Sequence, residues 1–205
     1  SGYDESRDML VAKHIALHGE HVIRGPLASG GMSWLKNSPT YYYFIALIWF
    51  LTREPKTFMY VWAMILTTPV LIAYFVGKKI KDSLTGLILA SILAFNYQMI
   101  YSSRELLQTH LSLIFAMIFI WSFVSYLKNQ ENNKYLLCTV IFLFLPLHFH
   151  YGILLALPMA LLLITYHVWK NFYQSKKNFF TKIFIPLLTF LTILWSWIIL
   201  TYNSF

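Results

Sequence analysis

Cysteine is nearly missing from this 205-residue chain: there is one, Cys138, inside an apolar run. One cysteine cannot build a disulfide framework or a cysteine-based metal site. Acidic residues are scarce too, eight against sixteen Lys and Arg, and charged residues of both signs make up 12% of the chain. A soluble domain carries about a quarter, so the shortfall points to lipid as the solvent. No glycine-rich phosphate loop follows a strand pattern, so no nucleotide-binding loop is visible. No HExxH pattern accompanies His14, His18 and His21, which leaves no zincin-type site. In place of charge, 58% of the residues are hydrophobic and 19% aromatic. The net charge of +8 could suggest nucleic acid, but the basic residues sit in short clusters between long apolar runs. That distribution fits the positive-inside rule of membrane proteins, and no nucleic-acid partner is expected.

The expected fold is an all-α membrane protein, multi-pass, with an outer loop containing interfacial helices. Ser6 to Leu17 reads as an amphipathic helix too polar to span. Gly25 to Pro39 reads as a loop. Tyr41 to Leu51 is apolar but only about half the roughly twenty residues that a span requires, so it is taken as interfacial or re-entrant. Six candidate spans follow: Met59–Gly77, Ser83–Tyr101, Glu105–Leu127, Tyr135–His150, Gly152–Trp169 and Ile183–Asn203. The joints at 78–82, 128–134 and 170–182 hold nine of the twelve lysines, whereas Ser102-Ser103-Arg104 and Tyr151-Gly152 hold none. With the lysine joints inside, residues 1–58, Arg104 and the His148–Gly152 turn lie outside the cell membrane. The chain reads as a single domain over 1–205, with 1–58 as the first extracytoplasmic loop and 59–205 as about six spans. It begins without methionine, so a preceding helix and a further C-terminal part are expected.

On this topology three polar groups share the outer face. The first is Asp4, Glu5 and Asp8, with Asp4 and Asp8 on one helical face and Glu5 beside it. This cluster reads either as a solvated helix start, favoured by the dipole, or as catalytic carboxylates. The second is Arg104 with Glu105, either an interfacial anchor or a fixed guanidinium suited to a lipid phosphate. The third is His148 and His150, either interfacial histidines or contacts to phosphate, sugar or metal. Asn96 and Gln98 either line a cavity or bond between helices.

The order of these features resembles the N-terminal half of a known family. A Tyr3-Asp4-Glu5 opening precedes an amphipathic helix, Gly25-Pro26, and a Ser38-Pro39-Thr40-Tyr41-Tyr42-Tyr43 run. Tyr101-Ser102-Ser103-Arg104 and Leu147-His148-Phe149-His150-Tyr151-Gly152 follow. The family is the bacterial branch of the dolichyl-phosphate-mannose–protein mannosyltransferases, in the GT-C class of integral-membrane glycosyltransferases, and the resemblance covers roughly residues 3 to 160. It implies transfer of a sugar from a polyprenyl-phosphate donor to a lipid, glycan or protein acceptor on the extracytoplasmic face. It implies Asp4, with Glu5, as the catalytic carboxylate. Asp8, Arg104, Glu105, His148 and His150 are implied to contact substrates. Both metal-dependent and metal-independent members share such acidic clusters, so a divalent metal stays open and no other cofactor is implied. Ser38-Pro39-Thr40 departs from the usual Pro-Pro-Leu. The residues suit such chemistry on their own terms, since it needs a base for the acceptor proton and cations for the departing phosphate. The alternative is a multi-pass transporter or flippase of lipid-linked glycans, which would place polar groups near mid-bilayer; here the ionisable residues crowd the outer boundary.

Overall fold

The computed structural model describes residues 2–23, 25, 38–129, 132–149 and 179–202, with isolated positions 158, 162, 165, 166 and 169. His150, Arg24, most of the Gly152–Trp169 span and most of the Gly25–Pro39 loop lie outside the described residues. Among those described there are eight α-helices and no strand: α1 (Gly2–His18), α2 (Thr40–Thr52), α3 (Pro55–Ile80), α4 (Ser83–Ala94), α5 (Tyr97–Ser102), α6 (Gln108–Lys128), α7 (Asn133–Phe144) and α8 (Phe179–Tyr202). A 3-10 turn, Leu145–His148, continues α7.

Two of these helices, α3 and α6, are long and apolar enough to cross a membrane. At 1.5 Å per residue they measure about 39 and 31 Å, against a hydrocarbon core of about 30 Å. Only 28% and 22% of their most apolar stretches are buried by the rest of the described protein. A soluble core helix would be mostly covered, so these two turn apolar surface outward. Pro69 interrupts α3 without breaking it. The Ile65 carbonyl, which loses the N–H that proline lacks, accepts instead from the Thr68 hydroxyl at 2.7 Å. Such local rescue is what keeps proline tolerable in a helix surrounded by lipid.

The helix α2 has 13 residues, about 20 Å, too short to span. It stops at Arg53, whose left-handed backbone (φ 55°) closes the end by donating its N–H to the Trp49 carbonyl at 2.8 Å. Pro55 then begins α3 in the first-turn position where its missing N–H costs nothing. Ser83–Tyr101, expected as one span, is two helices. Asn96 breaks it, because its side chain accepts from the N–H groups of Gln98 and Met99 and so starts α5 anew.

The helices α3 and α6 run the same way. Near their starts the Trp62 indole donates to the Glu105 carbonyl at 2.9 Å; at their ends the Lys128 ammonium donates to the Ile80 carbonyl at 3.0 Å. One apolar core lies at the starting end, where Ala12, Tyr41, Ile45, Trp49, Phe58, Trp62, Leu106 and Phe149 meet. A second, with Tyr126, Leu136, Val140, Phe144 and Leu147, joins α6, α7 and α8. The polar N-terminal helix thus sits over the starting end of both long helices, and the lysine-bearing joints at 78–82 and 128–134 sit at the other.

Candidate functional site

Helix α1 opens with Asp4 and Glu5 in its first turn, where the helix dipole favours carboxylates. Arg7 lies one turn beyond Asp4 and beside Asp8, and it ties both down. Its Nη1 is 2.9 Å from Asp4 Oδ1 and its Nη2 is 2.8 Å from Asp8 Oδ1, with Nε donating to the same Asp8 oxygen at 2.9 Å. The two acids then differ in setting. Asp4 keeps about half of its side chain in solvent, 51% exposed, whereas the Asp8 side chain is 5% exposed. The Asp8 carboxylate also accepts from the Tyr42 hydroxyl of α2 at 3.2 Å. Burial pushes the Asp8 carboxyl above its ordinary value, and the hydrogen bond and charge of Arg7 return only part of that. Burial likewise raises Tyr42, and the charge of Asp8 adds to the shift. Asp8 is therefore a strut between α1 and α2, its Oδ1 accepting from both helices.

Glu5 points the other way. Its Oε1 accepts from the backbone N–H of Leu106 at 3.3 Å, across 101 residues of chain. This contact brings the first acidic cluster to the joint between α5 and α6. The joint is held from two further sides: the Tyr41 hydroxyl donates to the Leu106 carbonyl at 3.3 Å, and Trp62 takes the Glu105 carbonyl. The Glu105 side chain lies against the Tyr101 hydroxyl, with Glu5 near enough to act on the same group. Arg104 is exposed beside them, and it makes no ion pair with a described residue. Glu5 and Glu105 thus come to one joint, with Asp4 next to Glu5 on α1 and Arg104 next to Glu105 in the chain.

Beneath this joint, between α3, α5 and α6, is a half-open cavity of about 270 Å³. Gln98, Ser102, Thr109 and His110 give it neutral polar walls, and Leu66, Met99 and Leu113 an apolar side. His110 Nδ1 is 3.3 Å from the Glu105 carbonyl, and Gln98 Nε2 is 3.5 Å from Ser102 Oγ, so the cavity walls connect to the carboxylate joint. Asn96 does not line it; its side chain is spent on capping α5.

His148 faces α8. It is buried, and its Nε2 shares a hydrogen bond with Ser196 Oγ of α8 at 3.2 Å. The next residue, Phe149, turns toward the first core and packs on Phe115 and Phe44, with ring centroids 5.0 and 6.2 Å apart. His14 and His18 do share a helical face, 5.5 Å apart, but His14 is engaged with Glu20 at 3.3 Å. Among the described residues no three His, Cys, Asp or Glu side chains gather as a metal site.

Arg7, Tyr41, Tyr42 and Trp62 hold the carboxylates and their joint in place, a part that the sequence reading did not give them. Arg7 had a legible signal, since it stands three residues after Asp4 on a helix. The aromatic three had none: nothing in a Tyr-Tyr-Tyr-Phe run says which ring will face a carboxylate 34 residues away, and nothing around Trp62 says that it will bond the Glu105 carbonyl. The chain matches no protein-family model, no curated protein and no solved structure.

Proposed function

We propose that this chain belongs to a membrane-embedded glycosyltransferase that moves a sugar from a polyprenyl-phosphate donor to a lipid, glycan or protein acceptor. The reading is supported above all by the Glu5–Leu106 hydrogen bond. That bond brings the first polar segment to the joint that carries Arg104 and Glu105, an arrangement that suits transfer from a lipid phosphate. In it Asp4 is the general base. Its carboxylate is solvent-accessible and held in direction by Arg7, so it can take the acceptor proton. Arg104, free of any ion pair with a described residue, receives the developing negative charge of the departing phosphate. Glu5 and Asp8 position the helix that carries Asp4, one through Leu106 and the other through Tyr42. The neutral polar cavity under the joint has the lining that suits an uncharged, hydroxyl-bearing ring. In this reading the helices lie in the cell membrane as about six spans, with residues 1–58 outside.

Asp4→Asn tests the reading directly, because the amide keeps the contact to Arg7 but cannot accept a proton. Sugar transfer from a radiolabelled polyprenyl-phosphate donor into membrane fractions is expected to fall at least about a hundredfold, the usual weight of general-base catalysis. The amount of protein inserted in the membrane should not change. Transfer at the wild-type rate would remove Asp4 from the mechanism.

A further inference from the structure

At the end of the molecule opposite the carboxylates, three helix termini come together. Lys78 and Lys79 close α3, Lys81 follows it, Lys128 ends α6 and Lys134 begins α7. The Lys128–Ile80 hydrogen bond fixes the ends of α3 and α6 side by side. The Lys79 ammonium lies over the Tyr135 ring, 5.5 Å from its centroid, and Tyr135 meets Trp121 of α6 edge to face at 6.1 Å. Trp121 in turn forms a wall of an open, apolar groove of about 480 Å³, with Ile118, Ile72 and Phe75. The helical spacing makes this one continuous surface. Phe75 and Ile72 lie four and seven residues before Lys79; Trp121 and Ile118 lie seven and ten before Lys128. On each helix these positions fall on the same face. The groove therefore runs along α3 and α6 and ends, within about two turns, at two ammonium groups.

We infer that this surface binds one anionic phospholipid, its head group between Lys79 and Lys128 and an acyl chain along Ile72, Phe75, Ile118 and Trp121. Charge and shape both select that occupant. A zwitterionic head group would leave the cationic cluster uncompensated. Asp82, the carboxylate nearest in sequence among the described residues, is already taken by the N–H and hydroxyl of Thr85. Lys128 uses one of its three protons on Ile80 and keeps two for a phosphate. Juxtamembrane lysines of this kind attract anionic lipid with about 1 kcal/mol each. The apolar groove supplies the tail contact that a soluble phosphate would not use. The inference rests on α3 and α6 crossing a membrane, but on no part of the transfer chemistry, since the site is at the far end of both helices.

The test compares phosphatidylglycerol with phosphatidylcholine bound to the whole protein, purified in a neutral detergent and followed by native mass spectrometry and by thermal unfolding on lipid addition. Wild type should retain phosphatidylglycerol preferentially and gain heat stability from it. The double variant Lys79→Gln/Lys128→Gln should lose that preference by roughly ten- to thirtyfold in affinity, the worth of two surface lysines. Lys79→Arg/Lys128→Arg, which keeps the charges, should restore it and shows that the glutamine protein fails for want of charge and not of folding. Equal retention of the two lipids by wild type would overturn the inference. So would unchanged phosphatidylglycerol binding in the glutamine variant, or displacement of phosphatidylglycerol by an equal concentration of a polyprenyl phosphate. Loss of sugar transfer with lipid selectivity intact would bear on the proposed function alone.

Discussion

Arg7 stands between two carboxylates of opposite character, and the pair shows how a helix can hold one acid in reserve and expose another. Asp8 is sunk between α1 and α2 and accepts from Arg7 and Tyr42. Asp8→Ala strips both donors of their acceptor. It should cost about 2 kcal/mol in thermal unfolding, below the full penalty for orphaning a buried charge because Arg7 keeps Asp4 and about a third of its side chain in water. Asp8→Asn should show a different signature. Burial raises the folded-state carboxyl above its ordinary value, so folding favours the protonated form. The stabilisation linked to Asp8 is then fully present below the ordinary carboxylate range and is lost as pH rises through the raised value. The difference in unfolding temperature between wild type and Asp8→Asn should accordingly shift against wild type on going from acid toward neutral pH. A difference that does not change with pH would mean that Asp8 titrates as in an unfolded chain.

Helices α3 and α4 meet backbone to backbone where two glycines face each other. A Cβ placed on Gly77 would lie 2.6 Å from the Gly86 Cα, and one on Gly86 would lie 2.5 Å from the Tyr74 carbonyl oxygen. Backbone cannot yield as a side chain can. Gly77→Ala should therefore destabilise by about 1–3 kcal/mol through overpacking, overriding the half kilocalorie or so that alanine gains over glycine in a helix interior; a thermal melt of the detergent-solubilised protein reads the sign. The same contact marks the limit of reading helices from sequence. Hydropathy and length were enough to place α3 and α6, because long apolar runs bounded by charged residues leave few alternatives. Asn96 sits in an equally apolar stretch, and its capping of α5 depends on a local backbone choice that hydropathy does not register. At the candidate site, the grouping of Asp4 and Asp8 on one face followed from helical spacing alone. The Glu5–Leu106 contact could not, since it joins positions 101 residues apart through packing of α1 on the joint. His148 shows the converse: its neighbourhood in the sequence suggested the outer cluster, whereas its hydrogen bond goes to α8.

For the molecule as a whole, the parity of the chain depends on α2. At about 20 Å it cannot carry the chain across a hydrocarbon core of about 30 Å, and its buried face is covered by α1 and α3. The acidic end and the lysine end are then separated by the full length of α3, and in the proposed orientation the positive-inside rule puts the lysine end in the cytoplasm. Lys13 and Lys81 report the two ends well, because both side chains are exposed, whereas position 8 is buried and would resist any reagent. In a Cys138→Ser background, Lys13→Cys should react with a membrane-impermeant maleimide added to intact cells. Lys81→Cys should react only after the membrane is opened. Labelling of both from outside would mean that α3 does not cross. Labelling of Lys81→Cys alone would turn the molecule over, and the carboxylates of α1 would face the cytoplasm, away from any acceptor outside the cell. The outcome separates the placement of the site from its chemistry: an inverted molecule would rule out transfer on the outer face even if Asp4, Glu5 and Arg104 were arranged as described.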